Sequence, residues 1–158
     1  SPPDAVFHDF VHTVTEEGSK ALELKADLAE SYQAEGLLIL RGVAFTQFDR
    51  VTGEASARGM ADMATFHTQT EDAELSGHIF LSSLTEDTSL EAESLSWDGK
   101  AKLLQGGLDR TVRVRKGDGT WVRGAGFVSD TRRRSFTFRE AVEGRLVVKD
   151  EAPAEALP

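Results

Sequence analysis

Few side chains in this 158-residue chain have the type and spacing that chemistry requires. His8 and His12 in VFHDFVHT stand at an interval that holds a metal ion on a helix, but the segment alternates as a strand does and no third ligand accompanies them. His67 and His78 fall in separate segments. Asp62, Glu71, Asp72 and Glu74 are the nearest approach to an acid/base pair of carboxylates, and they read as acidic turns. With no cysteine there is no thiolate zinc site, no disulfide framework and no thiol nucleophile. No G-x-S-x-G elbow, phosphate-cradling glycine loop or H-E-x-x-H occurs. Arg132, Arg133 and Arg134 sit in a hairpin between Asp130 and the alternating SFTF, a solvated turn with the capacity to meet an anionic headgroup or an acidic partner. These residue types give no positive support for an enzyme, and no cofactor or metal is expected.

The elements that would position a binding surface are legible in the glycines and alanines. A pattern with a change of parity recurs: Leu24-x-Ala26-x-x-Ala29, Ala55-x-Ala57-x-x-Met60, Leu90-x-Ala92-x-x-Leu95 and Val122-x-Gly124-x-x-Phe127. Between these copies runs a second one, Leu40-x-Gly42, Leu75-x-Gly77, Leu104-x-Gly106 and Val142-x-Gly144, three of which continue on the same parity into Ala44, Ile79 and Leu146. The small residue of the first pattern advances by 31, 35 and 32 positions. Such a period is the mark of stacked supersecondary units.

SKALELKADLAESYQAEG is rich in helix formers. Its Leu22, Leu24, Ala26 and Leu28 nevertheless alternate, and the corresponding TWVRGAGFVSD has β-branched and aromatic residues among glycines. All four copies therefore read as strands. TEEGS, QAEG, DRVTG, TEDTS, WDGK, KGDG and SDTRRRS supply the turns between them. A change of parity within a strand is what an extra residue at a β-bulge produces, and a bulge in every unit curls a sheet over its own apolar face.

The expected fold is all-β: a jellyroll or β-taco of ten or more antiparallel strands around an apolar interior. Residues 1–150 would form one domain and 151–158 a flexible tail. Leu38, Leu40, Phe45, Phe66, Leu75, Ile79, Leu81, Leu95, Trp97, Leu104, Val112, Val114, Phe127, Phe136, Phe138 and Leu146 are the expected inward positions.

Length and hydrophobic content, 39%, suit one globular domain with a real core. No run approaches the roughly 18 apolar residues of a membrane helix. A net charge of −9 argues against a nucleic-acid binder. The charge is divided, with 19 acidic and 5 basic residues over 1–99 but 8 acidic and 13 basic over 100–158. Such polarity reads as two solvated surfaces, and it can also guide head-to-tail docking or the orientation of a partner.

The arrangement resembles the LptC family of lipopolysaccharide-transport proteins, within the OstA-like β-jellyroll superfamily, over about residues 3–148. At the front the likeness is carried by Pro3-Asp4, Phe10, Thr13, Gly18, Leu24-x-Ala26 and Tyr32. At the back it is carried by Gly124-Ala125-Gly126, Asp130, the Phe136/Phe138 pair and Gly144. The resemblance implies a non-catalytic periplasmic conduit, held to the inner membrane by an N-terminal helix that this stretch does not include. It would take lipopolysaccharide or a related glycolipid from an inner-membrane ABC transporter and hand it to the next jellyroll of a bridge.

The lipid would be lined by Leu40, Phe45, Phe66, Leu75, Ile79, Leu81, Trp97, Leu104, Val112, Val114, Phe127, Phe136 and Phe138. Partner strands would add at two edges, one holding Phe7, Phe10 and Val14, the other Val142, Leu146 and Val148. Head-to-tail self-association would follow from the same edges. The alternatives are a soluble bridge component of the same superfamily and a carbohydrate-binding or structural β-sandwich.

Overall fold

The structure, a computed structural model, describes residues 2–131, 133 and 135–147. Val148, the 151–158 tail, Arg132 and Arg134 lie outside the described residues. Ten strands follow one another: β1 (Ala5–Glu16), β2 (Ser19–Tyr32), β3 (Leu37–Phe48), β4 (Ala55–His67), β5 (Ala73–Ser83), β6 (Thr88–Asp98), β7 (Leu103–Gln105), β8 (Thr111–Lys116), β9 (Trp121–Asp130) and β10 (Ser135–Arg145). All pairings are antiparallel within one sheet, in the order β1-β2-β3-β4-β5-β6-β7-β9-β10, with β8 joining β6 to β9 beside β7. β7 and β8 are two pieces of one strand interrupted at residues 106–110, of which Gly106 and Gly107 still hydrogen-bond to the β9 backbone.

β2 forms despite its helix-forming composition because both its edges are paired, Leu24 lying opposite His12 on β1 and Phe45 on β3. Tertiary pairing outweighs propensities of a few tenths of a kcal/mol per residue.

No helix and no second sheet occurs among the described residues, yet Leu40, Val112 and Phe127 are each 1% exposed and Ile79 is 2% exposed. Only the sheet itself can cover them, so it is rolled over its apolar face. The roll comes from a line of left-handed residues at mid-strand: Asp9 (φ 50°), Gly42 (φ 65°), Gly77 (φ 81°) with His78 (φ 47°), and Gly126 (φ 65°). A left-handed residue turns its strand and reverses the parity of the side chains beyond it.

The expectation of an inserted residue in every unit needs correction. Register is retained across the line from β1 to β4, as in His8↔Leu28 with Phe10↔Ala26, and Arg41↔Met63 with Val43↔Ala61. Along the line β5 carries an insertion at Gly77-His78, where its register shifts against both β4 and β6, and the break between β7 and β8 carries a longer one against β6 and β9. The kink at Gly42 also explains why Val43 is buried and Ala44 exposed, against the continued parity expected there.

The second copy of the repeat was placed four residues early. Met60 is 55% exposed on the outer face, whereas Ala61 and Ala64 are the buried pair equivalent to Ala26 and Ala29. Corrected, the small residue runs Ala26, Ala61, Ala92, Gly124. Leu146, expected inward, is 76% exposed beyond the end of β10, and Val142 and Gly144 are exposed as well.

Candidate functional site

The interior is built of cross-strand rows, because in antiparallel pairs residues facing each other across the ladder share a face. On one side of the kink line Leu24, Phe45, Gly59, Leu81, Leu90, Val114 and Val122 are successive partners from β2 to β9. On the other side Leu38, Phe66, Ala73, Trp97, Leu104, Ser129 and Phe136 do the same from β3 to β10. A third row, Ala29, Leu40, Ala64, Leu75 and Leu95, lies next to the kinks. The inner surface is thus an apolar strip crossing nearly the whole sheet.

Packing divides the strip into two clusters. Ala26, Ala29, Leu40, Val43 and Ala64 form one, with Phe10, Leu24 and Leu38 against it. Ala61, Ile79, Ala92, Leu95, Leu104, Val112, Val114 and Phe127 form the other, with Leu81, Leu90, Trp97, Val122, Phe136 and Phe138 against it. Leu75 packs against both and makes them continuous. Burial is greatest beside the kinks. Phe45, Phe66, Leu75, Leu81, Trp97, Phe136 and Phe138 remain partly exposed although they face inward.

Small residues in the rows make room for large ones. A Cβ on Gly59 would run into the Phe45 ring and Leu81, and one on Gly124 would come within 2.7 Å of the Phe138 ring. Three phenylalanines close the β9–β10 end, with centroids 5.4 Å apart for Phe127–Phe138 and 6.0 Å for Phe127–Phe136 and for Phe136–Phe138. No charged or polar side chain is buried among the described residues. Hydrocarbon, which demands no hydrogen bond, is the chemistry that such a lining accommodates.

All thirteen residues expected to line the interior occupy this inner face, drawn together from eight strands, β3 to β10. The expected inward positions left out Leu24, Leu90 and Val122, which the repeat names and which share the row of Phe45 and Leu81, and the alanines Ala26, Ala29, Ala61, Ala64 and Ala92. Parity within the row identifies the first three; alanine by itself carries too little hydrophobic signal to be assigned a face.

The sheet ends in two unpaired strands. Among the described residues β1 pairs only with β2, and β10 only with β9. Phe7, Phe10 and Val14 lie on β1, with the Phe7 and Phe10 rings 5.9 Å apart. Phe7 faces Ala29, so the aromatic pair forms the lip of the inner strip. Val142 lies on β10; Leu146 falls just past it.

The titratable groups stay outside the roll. His78 Nδ1 is 2.7 Å from Asp62 Oδ2, and that hydrogen bond, the Asp62 charge and the Glu93 charge raise its pKa above the ordinary 6.5. His67 Nε2 lies 2.9 Å from Glu74 Oε1, and Asp72 accepts a hydrogen bond from the Gly99 N–H at 2.9 Å. Of the four carboxylates considered as an acid/base group, Asp62, Asp72 and Glu74 are therefore each engaged by a separate partner. No three of His, Asp and Glu gather as metal ligands among the described residues. Arg133 Nε lies 3.7 Å from Asp130 Oδ2.

No helix of the described residues is long and apolar enough to cross a membrane. No curated protein is detectably similar in sequence. The family model described as "Lipopolysaccharide-assembly, LptC-related" matches residues 1–147, the whole of the rolled sheet. With one kinked sheet closed over an apolar strip and that match across it, the chain belongs to the LptC-related family of lipopolysaccharide-assembly proteins, which supply a jellyroll bridge component for lipopolysaccharide transport.

Proposed function

We propose that this chain is a non-catalytic periplasmic conduit which shields the acyl chains of lipopolysaccharide or a related glycolipid. In this reading residues 1–150 act as one unit, tethered to the inner membrane by a helix preceding Ser1. The lipid arrives from the permeases of an ABC transporter and leaves to the next bridge jellyroll. The observation that carries the reading is the set of overlapping, mostly apolar inner rows that run from strand to strand and together cross nearly the whole sheet towards its two edge strands.

Each methylene withdrawn from water is worth about 0.8 kcal/mol. A second trough of the same lining offers nearly the same free energy, so passage between troughs is close to neutral and its direction comes from the transporter. The inward but partly exposed Phe45, Phe66, Leu75, Leu81, Trp97, Phe136 and Phe138 make first contact, and the lipid then separates the two walls near the kinks. β1 and β10 present backbone N–H and C=O groups to which a strand of another jellyroll adds.

A photo-crosslinking residue at Phe45, Ile79 or Phe138, compared in cells with one at the outward Glu91, tests the conduit. Mass spectrometry should find glycolipid on the three inner positions and none at Glu91. Equal capture at all four, or none at any, refutes it.

A further inference from the structure

The outer face of the β8–β10 wall differs from the rest of the surface. Val112, Val114 and Val122 point inward, which sends Arg113, Arg115, Trp121 and Arg123 outward. Register then aligns Arg115, Trp121 and Arg145 as one outer row, and Arg113, Arg123 and Glu143 as the row beside it. Cross-strand neighbours stand about 5 Å apart, so four guanidinium groups surround one indole on three adjacent strands.

Like charges facing each other across a ladder destabilise it. Here Arg113 faces Arg123 on β9, while on its other side it faces Glu91 on β6. Arg123 is compensated by Glu143, with Nη2 at 2.8 Å and Nε at 2.9 Å from Oε1. The guanidinium of Arg113 lies 4.7 Å over the Trp121 ring. Among the described residues no carboxylate is within ion-pair distance of Arg113, Arg115 or Arg145. Solubility does not require this cluster, because the chain is already at −9.

We propose that this outer patch binds a phosphorylated saccharide, with Arg115, Arg145 and Arg113 holding phosphate oxygens and Trp121 covering the apolar face of a sugar ring. Guanidinium forks match phosphate geometry, and two of them on neighbouring strands can share one phosphate. A small anion needs only the patch. A flat anionic membrane or a nucleic acid would also meet the strongly acidic 1–99 region and be repelled by it.

That the saccharide belongs to the transported glycolipid rests on the conduit reading. Arg145 lies on the unpaired edge strand, so a headgroup leaving the trough over β10 reaches the patch without crossing another strand.

The probe is a deacylated glucosamine disaccharide carrying two phosphates, titrated into the protein while the Trp121 indole N–H is followed by NMR. Saturable binding with a shift of that signal is expected. Removing both phosphates, or substituting Arg115→Gln together with Arg145→Gln, should weaken binding at least tenfold. Arg58→Gln, on the outer face of β4, should leave it unchanged, and retained signal dispersion shows that each variant is folded.

Pyrophosphate binding as tightly as the disaccharide overturns the saccharide assignment. So does binding confined to phosphatidylglycerol vesicles, or no binding of any probe. Loss of probe binding with lipid capture at Phe45 intact sinks this inference alone; probe binding without capture sinks the conduit alone.

Discussion

Replacing Gly42 by alanine measures how strongly the kink is imposed. Gly42 has φ 65°, and a Cβ built there runs into the carboxylate of Asp27 on the neighbouring strand. Gly53 has φ 77° in the β3–β4 turn, with nothing within 4 Å of its Cβ position. Both substitutions place an L side chain in the left-handed region, at about 1–2 kcal/mol. Only Gly42→Ala must also displace Asp27 across a ladder that keeps register on both sides.

Gly53→Ala is therefore expected to lose about 1 kcal/mol and Gly42→Ala about 2–3 kcal/mol. Adding Asp27→Ala should bring the Gly42 variant back towards the Gly53 loss. Urea unfolding with an unchanged m-value reads these differences directly, and each kcal/mol should lower Tm by about 2–4 °C in a chain of this size. If Gly42→Ala were no more costly than Gly53→Ala, with or without Asp27, the kink would not be the constraint that rolls the sheet.

Two further outcomes follow from the same structure. Phe127→Ala removes a ring 1% exposed between Phe136 and Phe138, and should cost about 3–5 kcal/mol in denaturant unfolding; a loss under about 1 kcal/mol would mean that the β9–β10 end is loosely packed. NMR titration of His78 should give a midpoint above 6.5, moving towards 6.5 in Asp62→Asn, because the raised value comes chiefly from the hydrogen bond and charge of Asp62. A raised pKa means that the interaction is fully stabilising below the ordinary value and fades as pH climbs through the raised one, so stability that increased across that interval at this site would contradict the pairing.

The large inward side chains were most legible where they alternate with polar neighbours, as Val112, Val114, Phe136 and Phe138 do. The kink line was not, because two of its left-handed residues are Asp9 and His78, which carry no glycine mark. That gap produced the slip at β4, where Ala57-x-x-Met60 and Ala61-x-x-Ala64 have the same spacing and only the position of Gly42 on β3 selects the second. The division of one strand into β7 and β8 is written in Gly106-Gly107, yet its consequence, β6 serving two partners in succession, is a property of pairing. The arginine patch shows the same limit: alternation along β8 is visible in the sequence, but the partners Trp121 and Arg145 are set by register.

Retention of register across the kinks from β1 to β4 makes the architecture extensible. Each hairpin added to such a stack lengthens the hollow by two strand spacings, roughly 10 Å, and leaves its cross-section untouched. Capacity is then a matter of how many hairpins are present, and selectivity a matter of the outline in cross-section, so duplication can alter the former while selection holds the latter fixed. An odd number of added strands would bring the terminal edge out on the opposite rim, which favours growth of this scaffold in pairs.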